Sequence, residues 1–303
     1  MALLSGSASV SRFAVTARPD ELVFEDVPFQ AIIPGSTVRE RIGFVPFELD
    51  SPYQIGQRRW AFRVRIDILK PDPTAVRERL RELEKTERET TGNPFISARK
   101  RRNLRQLAEE ELLTQATPRS KVIECVIDDM TLWVGSTAKG SLGMVLALLR
   151  QIDVVADFRT PWFERGDEDP ISEIIEVKEP GQSVWGCLLL KRLLEDADVM
   201  LEPEAGSVRL ATRDARISLS GAVMNDVLRY VERGAEVLTA KLATKDTSFR
   251  LDALNWRIAS LRIECESHEH WQDLLDERLE HIGAVYDLLD TKYATYRERL
   301  SPA

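Results

Sequence analysis

Arg58-Arg59-Trp60-Ala61-Phe62-Arg63-Val64-Arg65-Ile66-Asp67-Ile68-Leu69-Lys70 is the stretch on which the fold turns. Its apolar residues Trp60, Phe62, Val64, Ile66 and Ile68 alternate with Arg63, Arg65 and Asp67. A period of two sends successive side chains to opposite faces, so the stretch reads as a β-strand with one wet face. Asp72-Pro73 follows as an N-cap and first-turn proline, and Val76, Leu80 and Leu83 then recur at helical spacing. Gly92-Asn93-Pro94 stops that helix after about Thr90. A second helix opens on the basic run Ser97-Ala98-Arg99-Lys100-Arg101-Arg102-Asn103-Leu104-Arg105. It carries Leu104, Leu107, Leu112 and Leu113 to a break at Thr117-Pro118.

Upstream, residues 9–17 read as a strand and 21–47 as irregular or partly helical, with Pro46 arguing against a helix interior. Downstream, Lys121 to Ile127 and Met130 to Val134 form a hairpin around Asp128-Asp129, and Ser136 or Thr137 caps a helix with the apolar body Leu142 to Leu149. Val154 to Phe158 and Ile171 to Val177 are further strands, and Ser183–Asp196 is a helix. A hairpin spans Val208–Leu219, and a helix from Ala222 to Arg233 ends at Gly234. Strands at Glu236–Thr244, Phe249–Ala253 and Trp256–Glu264 precede one long helix from His268 to Leu300, roughly 50 Å at 1.5 Å per residue. Packing across lobes or on a partner subunit would account for that length. The class is α+β, mixed helices and antiparallel sheets in an elongated multi-lobe monomer. The expected lobes are residues 1–160, 161–235 and 236–303, with the Pro-, Gly- and acid-rich stretch 159–180 as a boundary.

Charge is distributed unevenly. Arg58 to Arg105 holds fifteen Lys/Arg against seven Asp/Glu, a local +8 in a chain whose overall charge is −8. Five of those cations fall between Ser97 and Arg105 with no anion among them. A like-charge cluster repels itself, so it marks either a solvated face or a surface for a polyanion such as a phosphate backbone. From Glu264 onward the balance reverses to ten acids against four bases. The hydrophobic fraction of 43% exceeds what a disordered chain carries, so a packed core is expected. Cys125, Cys187 and Cys265 form no CxxC pair and read as reduced thiols of a cytoplasmic protein. No signal peptide or membrane-spanning run is expected.

These elements and residues, in this order, resemble the RdgC family of bacterial recombination-associated DNA-binding proteins. The resemblance is carried by the strand–helix–basic-run–helix unit from Trp60 through Arg105 to Leu113 and Ala116-Thr117-Pro118-Arg119, and by Leu146-Ala147-Leu148-Leu149-Arg150 with Val154-Val155. Leu193-Leu194-Glu195-Asp196, Val237-Leu238-Thr239-Ala240-Lys241-Leu242-Ala243 and Gly43-Phe44-Val45-Pro46 add to it. It implies a ring-shaped homodimer that encloses double-stranded DNA in a basic hole without sequence preference. It also implies restraint of a RecA-type recombinase, a nucleoid-associated location, and neither catalysis nor a cofactor. Arg63, Arg65, Arg99, Lys100, Arg101, Arg102, Arg105, Arg119 and Lys121 are then the expected phosphate contacts, with Arg213 and Arg216 at the tip of the middle-lobe hairpin. Ala116-Thr117-Pro118 stands where the family has an aromatic wedge, so base-step insertion lacks its residue there.

Other residues in the chain offer competing chemistry. Asp157, Asp169 and Glu176-Val177-Lys178 loosely match the Asp…Glu-x-Lys set of Mg²⁺ nucleases, in which carboxylates hold the metal; this is the enzymatic alternative. A protein-interaction scaffold built on the long final helix is the other. Cys265, His268 and His270 beside Glu266 and Glu269 suggest a metal site, but no second Cys/His cluster completes it. His270 and His281 lie roughly 16 Å apart along a helix, so surface histidines and no metal are expected. Gly135-Ser136-Thr137-Ala138-Lys139-Gly140-Ser141 has the composition of a phosphate loop without its order.

Overall fold

The computed structural model of the chain describes residues 3–33, 35–202, 207–221 and 224–300. In chain order its elements begin with β1 (Ala8–Ala17), β2 (Glu40–Val45), β3 (Gln54–Gly56) and β4 (Arg59–Ile68). The helices α1 (Pro73–Thr91) and α2 (Ala98–Leu113) follow, then β5 (Arg119–Asp128), β6 (Thr131–Val134), α3 (Lys139–Leu149), β7 (Val155–Phe158) and α4 (Pro161–Arg165). Next come α5 (Val184–Leu193), β8 (Met200–Leu201), β9 (Ser207–Ala211), β10 (Arg216–Ser220) and α6 (Met224–Glu232). The chain closes with β11 (Glu236–Ala243), β12 (Ser248–Asp252), β13 (Arg257–Leu261) and α7 (Trp271–Tyr296). Helices combined with antiparallel strand pairs make this an α+β fold. No helix among the described residues is long and apolar enough to cross a membrane.

The residues sort into two compact units. Met1–Leu22, Phe47–Phe62 and Ile123–Ala303 form the larger, and Val23–Pro46 with Arg63–Val122 form the smaller. Charge follows the same division. The small unit carries 17 Lys/Arg against 13 Asp/Glu, a net +4, and the large unit 25 against 37, a net −12.

In the large unit the strands run β10-β9-β11-β12-β13-β1-β6, with β7 also paired to β1 and β8 to β11. Helix α5 packs on this sheet so closely that a Cβ at Gly186 would overlap the Ala253 carbonyl oxygen. Helix α7 has 26 residues, about 39 Å, shorter than the His268–Leu300 span expected from the sequence. Its length needs no external partner, because Leu275, Ile282, Tyr286, Leu289 and Tyr293 are buried in the unit's own core. Tyr286 donates to the Val10 carbonyl at 3.1 Å, and Arg12 pairs with Asp290 at 2.8 Å, fixing the helix against β1.

Three local expectations need correction. Glu40–Val45 is a strand, antiparallel to β4, where irregular chain was expected; Pro46 lies just past its end. Ile171–Val177 has the apolar residues of a strand but forms none. Ala138 is the N-cap residue of α3, and Ser136 instead accepts from the Ala138 amide at 3.2 Å. The expected start of α6 at Ala222 lies outside the described residues.

In the small unit β2 lies against the second half of β4, with Gly43 opposite Arg65 and Val45 opposite Arg63. The chain at Val27–Phe29 crosses over this pair: Phe29 N donates to Phe44 O, and Phe44 N donates to Val27 O, both at 3.0 Å. The crossing is so close that any Cβ at Gly43 would overlap the Phe29 backbone. The face of β4 that alternation marks as wet is therefore partly roofed. Helices α1 and α2 form an antiparallel hairpin, and Ile32, Leu69 and Leu113 make a small core.

Candidate nucleic-acid interface

The hairpin has well-defined ends. Asp72 Oδ2 accepts from the Ala75 amide at 3.0 Å to start α1, and Gly92, at φ 64°, ends it in the left-handed conformation that costs glycine least. Ser97 Oγ accepts from the Lys100 amide at 3.2 Å to start α2. The first turn of α2 thus carries Arg99, Lys100 and Arg101, and Arg102 opens the second. This is the positive end of the helix dipole, where cations are least favourable without anions nearby. Helix α1 supplies two. Lys100 Nζ pairs with Glu87 at 3.1 Å, and Arg101 Nε pairs with Glu84 at 2.6 Å. Glu84 is only 7% exposed and also meets Arg88, so its charge is matched from both helices.

Arg105 pairs with Glu109 at 3.1 Å one turn along α2. Arg99 and Arg102 are exposed and have no ion pair among the described residues. The five cations of the run therefore differ in kind. Two hold the hairpin together, one pairs within its own helix, and two present their charge to solvent at the tip. Beside them, in the turn between the helices, Phe95 is 84% exposed, its amide held by Asn93 Oδ1 at 2.9 Å. Nothing in the sequence singles out Phe95, because the turn signal Gly92-Asn93-Pro94 explains the segment without it.

The remaining expected contacts of this unit separate onto two faces. Arg65 lies under the Phe29 ring, 4.4 Å from its centroid, and binds Asp67 with two nitrogens at 3.0 and 3.2 Å and Ser120 Oγ at 3.2 Å. Arg63 is half-buried on the same face of β4. Because Ser120 faces Arg65, strand alternation sends Arg119 and Lys121 to the opposite face, where both are exposed. Asp67 is 3% exposed; burial opposes its charge, but hydrogen bonds from Arg65 and Ser120 hold its carboxyl below the usual range. A carboxylate with a lowered pKa contributes stability that is present above the unfolded-state range and lost as pH falls through the folded value. Arg65→Ala should therefore destabilise the small unit by about 2 kcal/mol near neutral pH, because Asp67 is left buried without its cation. The difference should shrink in acid, where Asp67 is protonated in both proteins. Urea midpoints of the two proteins across pH measure it, and a pH-independent difference would contradict the pairing.

Between the two helices and the end of β4 lies a depression of about 480 Å³. Leu69, Val76, Leu80 and Leu113 line its apolar part, and Arg39, Lys70, Arg77 and Arg105 bring cations to it. Lys70 also borders a neighbouring depression with Arg119. Arg39, Lys70 and Arg77 carry no sequence signal that separates them, because Arg39 and Arg77 alternate with glutamates and only the fold brings the three to one depression.

In the large unit, Arg213 and Arg216 flank the turn of the β9–β10 hairpin. Arg213 pairs with Glu173, and Arg216 is exposed opposite Ala211. The residues of the nuclease pattern have other local partners. Asp169 accepts from Ser183 Oγ and from the Val184 amide at the start of α5, and Glu176 pairs with Lys178 in an exposed loop. They do not converge on a common metal-ligating group among the described residues. No protein-family model matches this chain, and no curated protein matches it significantly.

Proposed function

We propose that the helical hairpin of the small unit binds the phosphate backbone of duplex DNA without sequence preference and without chemistry of its own. The observation that carries the reading is the hairpin tip. Arg99 and Arg102 are left without internal partners at the positive end of a helix, next to a phenylalanine that no core accommodates. Cations at that position attract phosphate, and an exposed aromatic among them stacks on bases or wedges a base step. Phe95 thus supplies, at the hairpin tip, the aromatic that Ala116-Thr117-Pro118 lacks after α2. The excess of positive charge in the small unit and of negative charge in the large one supports placing DNA against the small unit. The resemblance to the RdgC family extends the proposal to a ring-shaped homodimer in the nucleoid that restrains a RecA-type recombinase.

Anisotropy titrations with labelled duplexes of unrelated sequence test it. Affinity should fall steeply and equally for each duplex as salt rises. Phe95→Ala should weaken binding by about tenfold, the scale of one lost aromatic–base contact, with little change in the salt slope because no charge is removed. Its high exposure makes the substitution harmless to the fold. Absence of binding even at low salt would overturn the proposal.

A further inference from the structure

The segment between β13 and α7 lacks helix and strand, yet it brings three metal-ligating side chains together. Cys265 Sγ, a carboxylate oxygen of Glu277 and a ring nitrogen of His281 lie within 4.8 Å of one another. Glu277 and His281 are one turn apart on the same face of α7, and Cys265 reaches them from the preceding segment. His268, three residues after Cys265, meets the same carboxylate, with Nε2 at 2.5 Å from Oε2. The Glu266 amide donates to the other oxygen, Oε1, at 3.3 Å, and His281 Nε2 stands 4.0 Å from it. One carboxylate is thus flanked by two imidazoles and a thiol.

We propose that Cys265, His268, Glu277 and His281 form a zinc site that ties the segment after β13 to α7. An ion-pair network explains the group less well. As a hydrogen-bond network the group offers a single carboxylate to two imidazoles, a thiol and the Glu266 amide. A divalent metal takes a lone pair from Cys265, Glu277 and His281, whose ligand atoms already cluster, and His268 turns in from its contact with the Glu277 carboxylate as the fourth. A thiolate, a carboxylate and two neutral imidazoles carry two negative charges, matching Zn²⁺, and sulfur with imidazole nitrogen selects zinc over magnesium or calcium.

The spacing is within reach. Bonds of about 2.0–2.3 Å in a tetrahedron place neighbouring ligand atoms roughly 3.3–3.6 Å apart, so Cys265, Glu277 and His281 must contract by about 1 Å. The His281 side chain is 52% exposed and free to turn inward. Arg278 donates to the Leu3 and Gly6 carbonyls and also stands beside Cys265, where its positive charge favours the thiolate form that a metal requires. Four protein ligands close the coordination shell, which marks a structural rather than a catalytic zinc. Its effect would be to hold residues 262–270 against α7, a segment otherwise tied by few backbone hydrogen bonds.

Cobalt substitution in the full chain tests the site directly. Chelator-treated protein titrated with Co²⁺ should bind one equivalent per chain and develop a thiolate-to-metal charge-transfer band. Zn²⁺ should displace the cobalt and bleach the band. Cys265→Ser should abolish the band, and His281→Ala should weaken zinc binding at least a hundredfold. His268→Ala should weaken it by about tenfold or more if that ring is the fourth ligand. Circular dichroism of each variant checks folding, and the wild-type titration stands whatever the variants do. No charge-transfer band in the wild-type chain, or an undiminished band in Cys265→Ser, overturns the proposal. The result is independent of DNA binding, which involves the other unit.

Discussion

Alanine at both Arg99 and Arg102 is expected to flatten the salt dependence of duplex binding by about two units, because each phosphate contact contributes roughly 0.9 to that slope. Affinity should fall roughly thirtyfold at physiological salt, the same loss expressed at fixed ionic strength. The paired residues should behave differently. Lys100 and Arg101 already spend their charge on Glu87 and Glu84, so alanine there removes less binding per residue. Its main cost falls on the hairpin, because Glu84 is buried and Arg101 is its closest cation. The sequence expectation treats all four cations as equal, with a combined change of up to about four slope units. Salt-titrated anisotropy on the two double variants, alongside their urea midpoints, separates the cases. Equal losses of binding in both would contradict the division drawn here.

Gly186→Ala should cost substantial stability, because among the described glycines this position has the tightest backbone contact for an added carbon. The added carbon would overlap the Ala253 carbonyl oxygen and stand 2.9 Å from the carbonyl carbon, and neither is a side chain able to swing away. Helix α5 must therefore move off the sheet, disturbing its buried neighbours Cys187, Leu189 and Leu190. Overpacking of this kind costs about 3 kcal/mol. Guanidinium unfolding followed by tryptophan fluorescence measures it, with Gly140→Ala as the control because nothing lies within 4 Å of that position. Equal midpoints for the two variants would show that α5 has room the structure denies it.

Local sequence signals located most elements and most of the hairpin's ends. Alternation from Trp60 to Ile68 marked β4, and Asp72-Pro73 and Gly92 bounded α1 to within a residue. These signals succeed because they act within one turn or one strand. Strand β2 was missed because Glu40–Val45 is short and its pairing with β4 is a tertiary contact. Ile171–Val177 failed in the opposite sense: it is apolar enough for a strand but forms no ladder.

The candidate site divides along the same line. The density of cations between Ser97 and Arg105 is a property of the sequence, as is their position at a helix start. Only the tertiary structure decides which of them are free. Glu84 and Glu87 precede their partners Arg101 and Lys100 by seventeen and thirteen residues, and the antiparallel hairpin closes that distance. Gly43 lets the chain at Phe29 come close enough for the Phe29 ring to cover Arg65, which alternation alone marks as an exposed cation. Cys265 and His281 likewise have no relation in the sequence until the segment before α7 folds back along that helix. Charge and periodicity are fixed by residue type and need no partner, whereas whether a charge is available depends on what long-range packing places within hydrogen-bond reach of it.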